Sequence, residues 1–200
     1  MKILIIGSNG KVGQKLIGHL KKAGHEVYGM IRSEEQSEII ENLGGIPIVA
    51  DLEKNFSHSY HHMEVIIFTA GSGGHTGPEK TISVDQQGAI KSIELAEELG
   101  IDRFIMVSAQ GARSPEAPSP IQHYFKAKAI ADNVLLKSTL NYTIMRPGRL
   151  TDEPSTGNIK TGEFFQEKGT TSRDELARYI STIINDRTTF RKVIEIFDGD

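Results

Sequence analysis

Residues 3–13 read Ile3-Leu4-Ile5-Ile6-Gly7-Ser8-Asn9-Gly10-Lys11-Val12-Gly13, and this stretch decides the fold. Four consecutive aliphatic residues suit a strand buried on both faces of a parallel sheet. Gly7 ends the run. From there Val12, Leu16, Ile17 and Leu20 recur at helical spacing as far as Lys22, and Gly24 stands where a helix would stop. A strand, a glycine-rich turn and an amphipathic helix, in that order, open a βαβ unit.

The same alternation continues down the chain. Residues 27–31, 46–49, 65–68, 104–107, 142–145 and 193–197 read as further strands. Helical patterns lie between most of them, near 34–43, 82–99, 124–137 and 173–185, and Ser172-x-x-Glu175 has the form of a capping box before the last. Strands alternating with helices over short connections imply a doubly wound parallel sheet with helices on both faces. With no linker or repeat in view, residues 1–200 are expected to form one domain. Three segments rich in Gly, Ser or Pro, 71–79, 110–121 and 148–171, each follow an expected strand. In such sheets ligands bind beyond the carboxyl ends of the strands, where these segments emerge. The last is expected to be an irregular segment forming a small substrate-side lobe.

Composition narrows the function classes. The chain has 23 Lys and Arg against 26 Asp and Glu, a net charge of −3, and no cysteine. Thiolate metal sites, disulfides and cysteine nucleophiles are therefore absent, and a reducing cytoplasm is the expected location. A slightly acidic chain without a basic patch is not expected to bind nucleic acid. No apolar run approaches the ~20 residues of a membrane span. Oligomeric state is not legible. His58, His61 and His62 lie close together, but without Cys or a carboxylate at ligand spacing no metal is expected.

Glycines in Gly7-Ser8-Asn9-Gly10-Lys11-Val12-Gly13 permit a tight turn that aims the free N–H groups of a helix N-terminus at a pyrophosphate. The spacing is GxxGxxG, and its place between strand and helix points to a dinucleotide. The second expected strand ends in Arg32-Ser33, where an acidic residue would favour NAD and an arginine a 2′-phosphate. Arg32, with Ser33 and Lys11, therefore argues for NADP(H) over NAD(H). Ser33-x-x-Gln36 also fits a capping box. Asp51-Leu52, after the third strand, could meet an adenine amino group, or Asp51 could cap the turn that follows. Ala70-Gly71-Ser72, after the fourth, offers small residues against which a cofactor could lie.

Tyr124 and Lys128 open an expected helix one turn apart, on one face. An ammonium beside a phenol favours the ionised form, and a phenol with a lowered pKa can exchange a proton with a substrate hydroxyl or carbonyl. His75 and His123 fall near the same end of the sheet. Phe164-Phe165 could line an apolar pocket or pack the lobe onto the sheet.

With these motifs in place, the sequence resembles the atypical short-chain dehydrogenase/reductases with a Rossmann, NmrA-like NAD(P)H-binding domain, some of them labelled sugar epimerases. The resemblance rests on the glycine turn, Asp51-Leu52, residues 68–74 and 103–109, Tyr124 with Lys128, and Met145-Arg146-Pro147-Gly148. It implies that Tyr124 is the proton donor or acceptor, that Lys128 also holds the nicotinamide ribose, and that Pro147-Gly148 pass beside the nicotinamide. Two positions depart from the family pattern. Ser108, the candidate for the catalytic serine, is followed by Ala109 and Gln110, and Asp85 stands where many relatives carry an asparagine that supports a proton relay. The expected activity is NADP(H)-dependent oxidation or reduction of a small substrate. An epimerase or dehydratase acting on a sugar-like molecule, and a non-catalytic redox sensor, are the alternatives. Only 52 residues follow Gly148 in the chain of 200, little room for a nucleotide-sugar lobe.

Overall fold

The computed structural model describes residues 1–73 and 76–199. The chain runs through β1 (Lys2–Ile6), α1 (Lys11–Lys22), β2 (Glu26–Ile31), α2 (Ser37–Asn42), β3 (Ile46–Val49), β4 (Val65–Phe68) and α3 (Pro78–Lys80). A π-helical segment, Thr81–Gly88, joins α3 directly to α4 (Ala89–Glu98). Then come β5 (Arg103–Val107), α5 (Gln122–Lys137), β6 (Asn141–Pro147), β7 (Arg149–Thr151), β8 (Ile159–Gly162), β9 (Thr170–Ser172), α6 (Arg173–Thr182) and β10 (Lys192–Asp198).

The main sheet has the order β3-β2-β1-β4-β5-β6-β10-β8, parallel throughout except for β8, which runs antiparallel to β10 at the edge. β1 and β4 are neighbours from which the chain winds outward in opposite directions, so the crevice between their carboxyl ends is the topological switch point.

Side-chain parity divides the core into two layers. Leu4, Ile6, Ile66, Phe68, Phe104, Met106 and Ile144 face α4 and α5 through Ala89, Ile93, Ala96, Ala131 and Leu135. Ile3, Ile5, Val65, Ile67, Ile105, Val107 and Met145 face α1 and α6 through Leu16, Ile17, Leu20, Leu176 and Ile180. Each large aliphatic residue contributes roughly 1.5–3 kcal/mol on burial. Slipping a strand by one residue would exchange its two faces, so the register is strongly specified.

All seven expected strands are present, and the departures have local causes. Segment 148–171 is not irregular throughout: it holds β7 and β8, and β7 pairs with β9, which begins at Thr170. A Cβ on Gly148 would lie 2.1 Å from the Gly169 carbonyl oxygen, so glycine there lets two backbones touch. The Ser172-x-x-Glu175 box does not close. Ser172 Oγ accepts from the Asp174 N–H at 3.2 Å, but the buried Glu175 carboxylate turns away to Ser155, the Gly157 N–H and Arg178. Ser33 likewise makes no side-chain cap, because Gln36 Oε1 accepts the Arg32 N–H at 2.9 Å and the Ser33 hydroxyl turns to Glu35. The expected helix at 82–99 begins earlier, at Pro78, whose missing N–H is harmless in a first turn. The histidines at 58, 61 and 62 are not carried on one helix, since the turn Ser57–Tyr60 stops short of His62, which takes a left-handed φ of 65°.

Candidate functional site

The glycine turn is shaped by backbone contact. Gly7 has φ +88°, and a Cβ there would sit 2.6 Å from Ala70 at the end of β4. A Cβ on Gly13 would sit 2.5 Å from the Gly7 carbonyl oxygen, so the first turn of α1 lies directly on the loop. Gly10 provides no side-chain cap for α1, and the first bond back to the cap is Gln14 N–H to Gly10 O. The N–H groups of Lys11, Val12 and Gly13 thus form an uncapped helix N-terminus with a positive dipole end at the switch point. A dinucleotide pyrophosphate fits this cradle. Ser8 contributes backbone only, because its buried hydroxyl donates to Met30 O at 2.7 Å.

On the adenosine side, Arg32 is exposed, and its guanidinium has no hydrogen-bond or ion-pair partner among the described residues. Lys11 pairs with Asp152, which also binds Arg173 at 2.8 Å. Both Lys11 and Asp152 are well exposed, so the pair is screened by solvent and yields readily to a phosphate. Asp51 Oδ1 accepts the Glu53 N–H at 3.0 Å and closes its own turn. Leu52 is buried and packs over Gly88, so only its backbone remains for a ligand.

The catalytic candidates converge at the carboxyl ends of β4, β5 and β6. Lys128 is 3% exposed, and its Nζ donates to Val107 O at 3.2 Å, lies 3.5 Å from Asp85 Oδ1 and stands 5.8 Å from the centroids of both Phe68 and Tyr124. Asp85 is fully buried on the π-helical segment, a rare geometry often found at functional sites. Its Oδ2 accepts the Ser72 N–H at 2.8 Å, so one carboxylate ties the β4 loop to the lysine. Ser108, at the end of β5, is 2% exposed. Pro147 is buried, and the Gly148 N–H is taken by Thr171 Oγ1 at 3.1 Å.

The electrostatics differ from the expected lowered phenol pKa. Burial is the largest influence on Tyr124 and raises it; Lys128 pulls it down, but Asp85 and Asp132 push it up again, and the net direction is upward. Burial opposes the Lys128 charge, yet Tyr124, Asp85 and Asp132 outweigh it and hold the ammonium above the ordinary lysine range. The phenol is therefore kept protonated and the lysine cationic.

The sequence reading missed Asp132 and Arg146 as site residues. Arg146 binds Asp132 Oδ2 through Nε at 3.0 Å and Nη2 at 2.9 Å. A signal existed: Asp132 follows Lys128 at the same four-residue interval that separates Lys128 from Tyr124, and Arg146 shares the strand parity of Ile144. Beside them Glu195 of β10 is fully buried, pairs with Arg113 at 2.8 Å and accepts the Phe165 N–H at 2.9 Å. Phe165 stacks on Phe197 with centroids 4.9 Å apart, whereas Phe164 stays exposed under the Arg113 guanidinium at 4.1 Å. Of the histidines, His58 binds Val49 O, His123 is exposed, and His75 lies outside the described residues. Among the described residues no cluster could hold a metal ion, and no helix is long and apolar enough to cross a membrane.

Comparison with known proteins identifies the family. The "Uncharacterized sugar epimerase YhfK" of Bacillus subtilis is 39% identical over the whole chain and 95% of its own length. A solved Bacillus halodurans protein, provisionally designated an NAD-dependent epimerase/dehydratase, is 42% identical with a TM-score of 0.97, covering all of this chain and 95% of its own. The oxidoreductase ylbE of Lactococcus lactis is 30% identical with a TM-score of 0.88, covering all of this chain and 92% of its own. The profile of the NAD(P)H-binding family matches residues 7–187. This chain accordingly belongs to that NAD(P)H-binding family, within the Rossmann-fold atypical short-chain dehydrogenase/reductases.

Proposed function

We propose that the protein is an NADP(H)-dependent reductase of a small carbonyl compound. The observation that carries this reading is the half-buried Tyr124 beside the buried Lys128, Asp85 and Ser108, next to the uncapped glycine turn, with the phenol held protonated. Reduction of a carbonyl needs a proton donor at its oxygen, which is the state this environment favours.

Gly7, Asn9, Gly10 and the first N–H groups of α1 would hold the pyrophosphate, and Arg32 with Lys11 the 2′-phosphate. Ala70, Gly71 and Ser72 would pass along the cofactor, with Lys128 at the ribose and Pro147-Gly148 near the nicotinamide. Bound NADPH supplies a hydride. Tyr124 gives its proton to the carbonyl oxygen as the alcohol forms, and the Lys128 ammonium offsets the phenolate left behind. Phe68 and the surrounding apolar wall keep water from the ammonium, which strengthens that attraction.

An epimerase that oxidises its substrate first would need Tyr124 as a base, which burial, Asp85 and Asp132 all oppose. The epimerase designations of two relatives keep this as the second reading.

The test is NADPH consumption across aldehydes, ketones and quinones by wild type and Tyr124→Phe. The expected result is turnover that falls at least ~100-fold in the variant, with NADPH affinity within about twofold. Tight NADPH binding with no consumption on any compound would replace the reductase by a sensor. Interconversion of a sugar-like substrate without net consumption would replace it by an epimerase.

A further inference from the structure

Asp132 stands one turn beyond Lys128 and two beyond Tyr124 on α5, and it is 1% exposed. Arg146 holds it by one oxygen only: both guanidinium bonds fall on Oδ2, and Oδ1 has no hydrogen-bond partner among the described residues. Ser108 Oγ is buried and unpartnered as well. The Ser108 N–H donates to Met145 O at 2.8 Å, which sets Ser108 beside Arg146 and the carboxylate it clamps. Burial is the largest influence on Asp132 and its net direction is upward, against which first Arg146 and then the Ser108 hydroxyl pull it down. Natural proteins seldom leave such atoms unpaired, and an ionised carboxylate can only accept.

We propose that Asp132, clamped by Arg146, is a positioning residue whose Oδ1 takes the Ser108 hydroxyl proton, so that Ser108 offers the substrate lone pairs and selects carbonyl compounds bearing an adjacent hydroxyl. The substrate class follows from the donor count. With its proton committed inward, Ser108 cannot polarise a carbonyl, and donation to the carbonyl oxygen falls to Tyr124. What Ser108 can do is accept a hydrogen bond, and an α-hydroxyl is the nearest donor that a small carbonyl substrate can carry. Leaving a buried acceptor unpaired is how a site rejects an analogue that lacks the donor. The substrate part of this inference rests on the reductase reading above; the pairing of Asp132 with Ser108 does not.

The experiment compares hydroxyacetone with methoxyacetone, whose ether oxygen cannot donate. The proteins are wild type, Ser108→Ala, Asp132→Asn and the double variant Asp132→Leu/Arg146→Met, which replaces the ion pair with apolar groups should the single change fail to fold. Wild type is expected to favour hydroxyacetone by about 10-fold or more in kcat/KM, and every variant to fall to within about twofold of parity, with NADPH affinity unchanged within twofold. A wild type without preference, or a preference that survives in the double variant, overturns the proposal. The pairing is also read without turnover. In protein labelled with 13C at serine Cβ and dissolved in equal parts H2O and D2O, a hydroxyl proton held by Asp132 exchanges slowly and splits the Ser108 signal. Splitting that disappears in the Asp132 variants supports the pairing, and a single averaged wild-type signal overturns it. If wild type reduces neither ketone, the substrate class proposed here is overturned, consumption across the aldehydes, ketones and quinones decides the reductase reading, and the isotope splitting decides the pairing alone.

Discussion

Replacing Lys128 by methionine keeps the apolar stem and removes the charge. It leaves Asp85, fully buried on the π-helical segment, with the Ser72 N–H at 2.8 Å as its remaining partner. The ammonium that stood 3.5 Å from Oδ1 is gone, and Val107 O loses its donor as well. Breaking a buried pair from one side costs about 3–5 kcal/mol, because a charge stays enclosed without compensation. At roughly 2–4 °C per kcal/mol for a chain of this size, Lys128→Met should melt about 10 °C below wild type. Adding Asp85→Asn removes the stranded charge while keeping an acceptor for Ser72, and should restore at least half of the loss. Denaturant unfolding of the two single variants and the double variant gives the coupling energy directly. Lys128→Met within ~1 kcal/mol of wild type, or a double variant that sums the single losses, would refute the view that lysine and aspartate are matched to each other. The double variant should still fail to turn over, which separates the lysine's part in folding from its part in chemistry.

Arg32→Ala should weaken NADPH binding about 10- to 100-fold, the range for one charge-assisted contact, and leave NADH binding within twofold; equal losses by fluorescence titration would remove the 2′-phosphate role. Glu175 lies below the ordinary carboxylate range: burial pushes it up, but Ser155, Arg178 and the Gly157 N–H outweigh that. Its stabilisation is therefore complete above the unfolded carboxylate pKa and is lost as pH falls through the lower folded value. Glu175→Gln should lower stability by about 1–3 kcal/mol at neutral pH and flatten the acid limb of the unfolding profile, whereas an unchanged limb would refute it. Gly148→Ala forces a methyl to 2.1 Å from a backbone oxygen, and should cost more than ~2 kcal/mol and expose residues 149–172 to limited proteolysis.

The sheet was legible because its central strands bury both faces: Ile3–Ile6 and Val65–Phe68 are apolar at every position, which leaves little to confuse. β8 was not, since Ile159 and Gly162 are half-buried around exposed Lys160 and Thr161, a pattern with no period. The three-residue strands β7 and β9 are set by the approach of Gly148 to Gly169, a contact across twenty-one positions that no local pattern records. The same limit governed the site. Tyr124 with Lys128 could be read from one helix, but Asp85 reaches Lys128 from another element, and its approach depends on how residues 81–88 wind. The phenol was read with one charged neighbour, whereas the fold supplies three.

That winding has a consequence for how this fold can change. Through residues 81–88 the helix carries more residues per turn than an α-helix, and it returns to α-helical winding by Ala89, which is already in the core. Deleting one residue there would let the segment close into ordinary α-helix while Ala89, Ile93 and Ala96 kept their places. Residues on the shortened stretch would rotate by about 100° each, and the position of Asp85 would turn away from the lysine. The glycine turn, on a different strand, would be untouched. A dinucleotide-binding enzyme and an inert dinucleotide-binding scaffold of the same shape can thus lie a single codon apart.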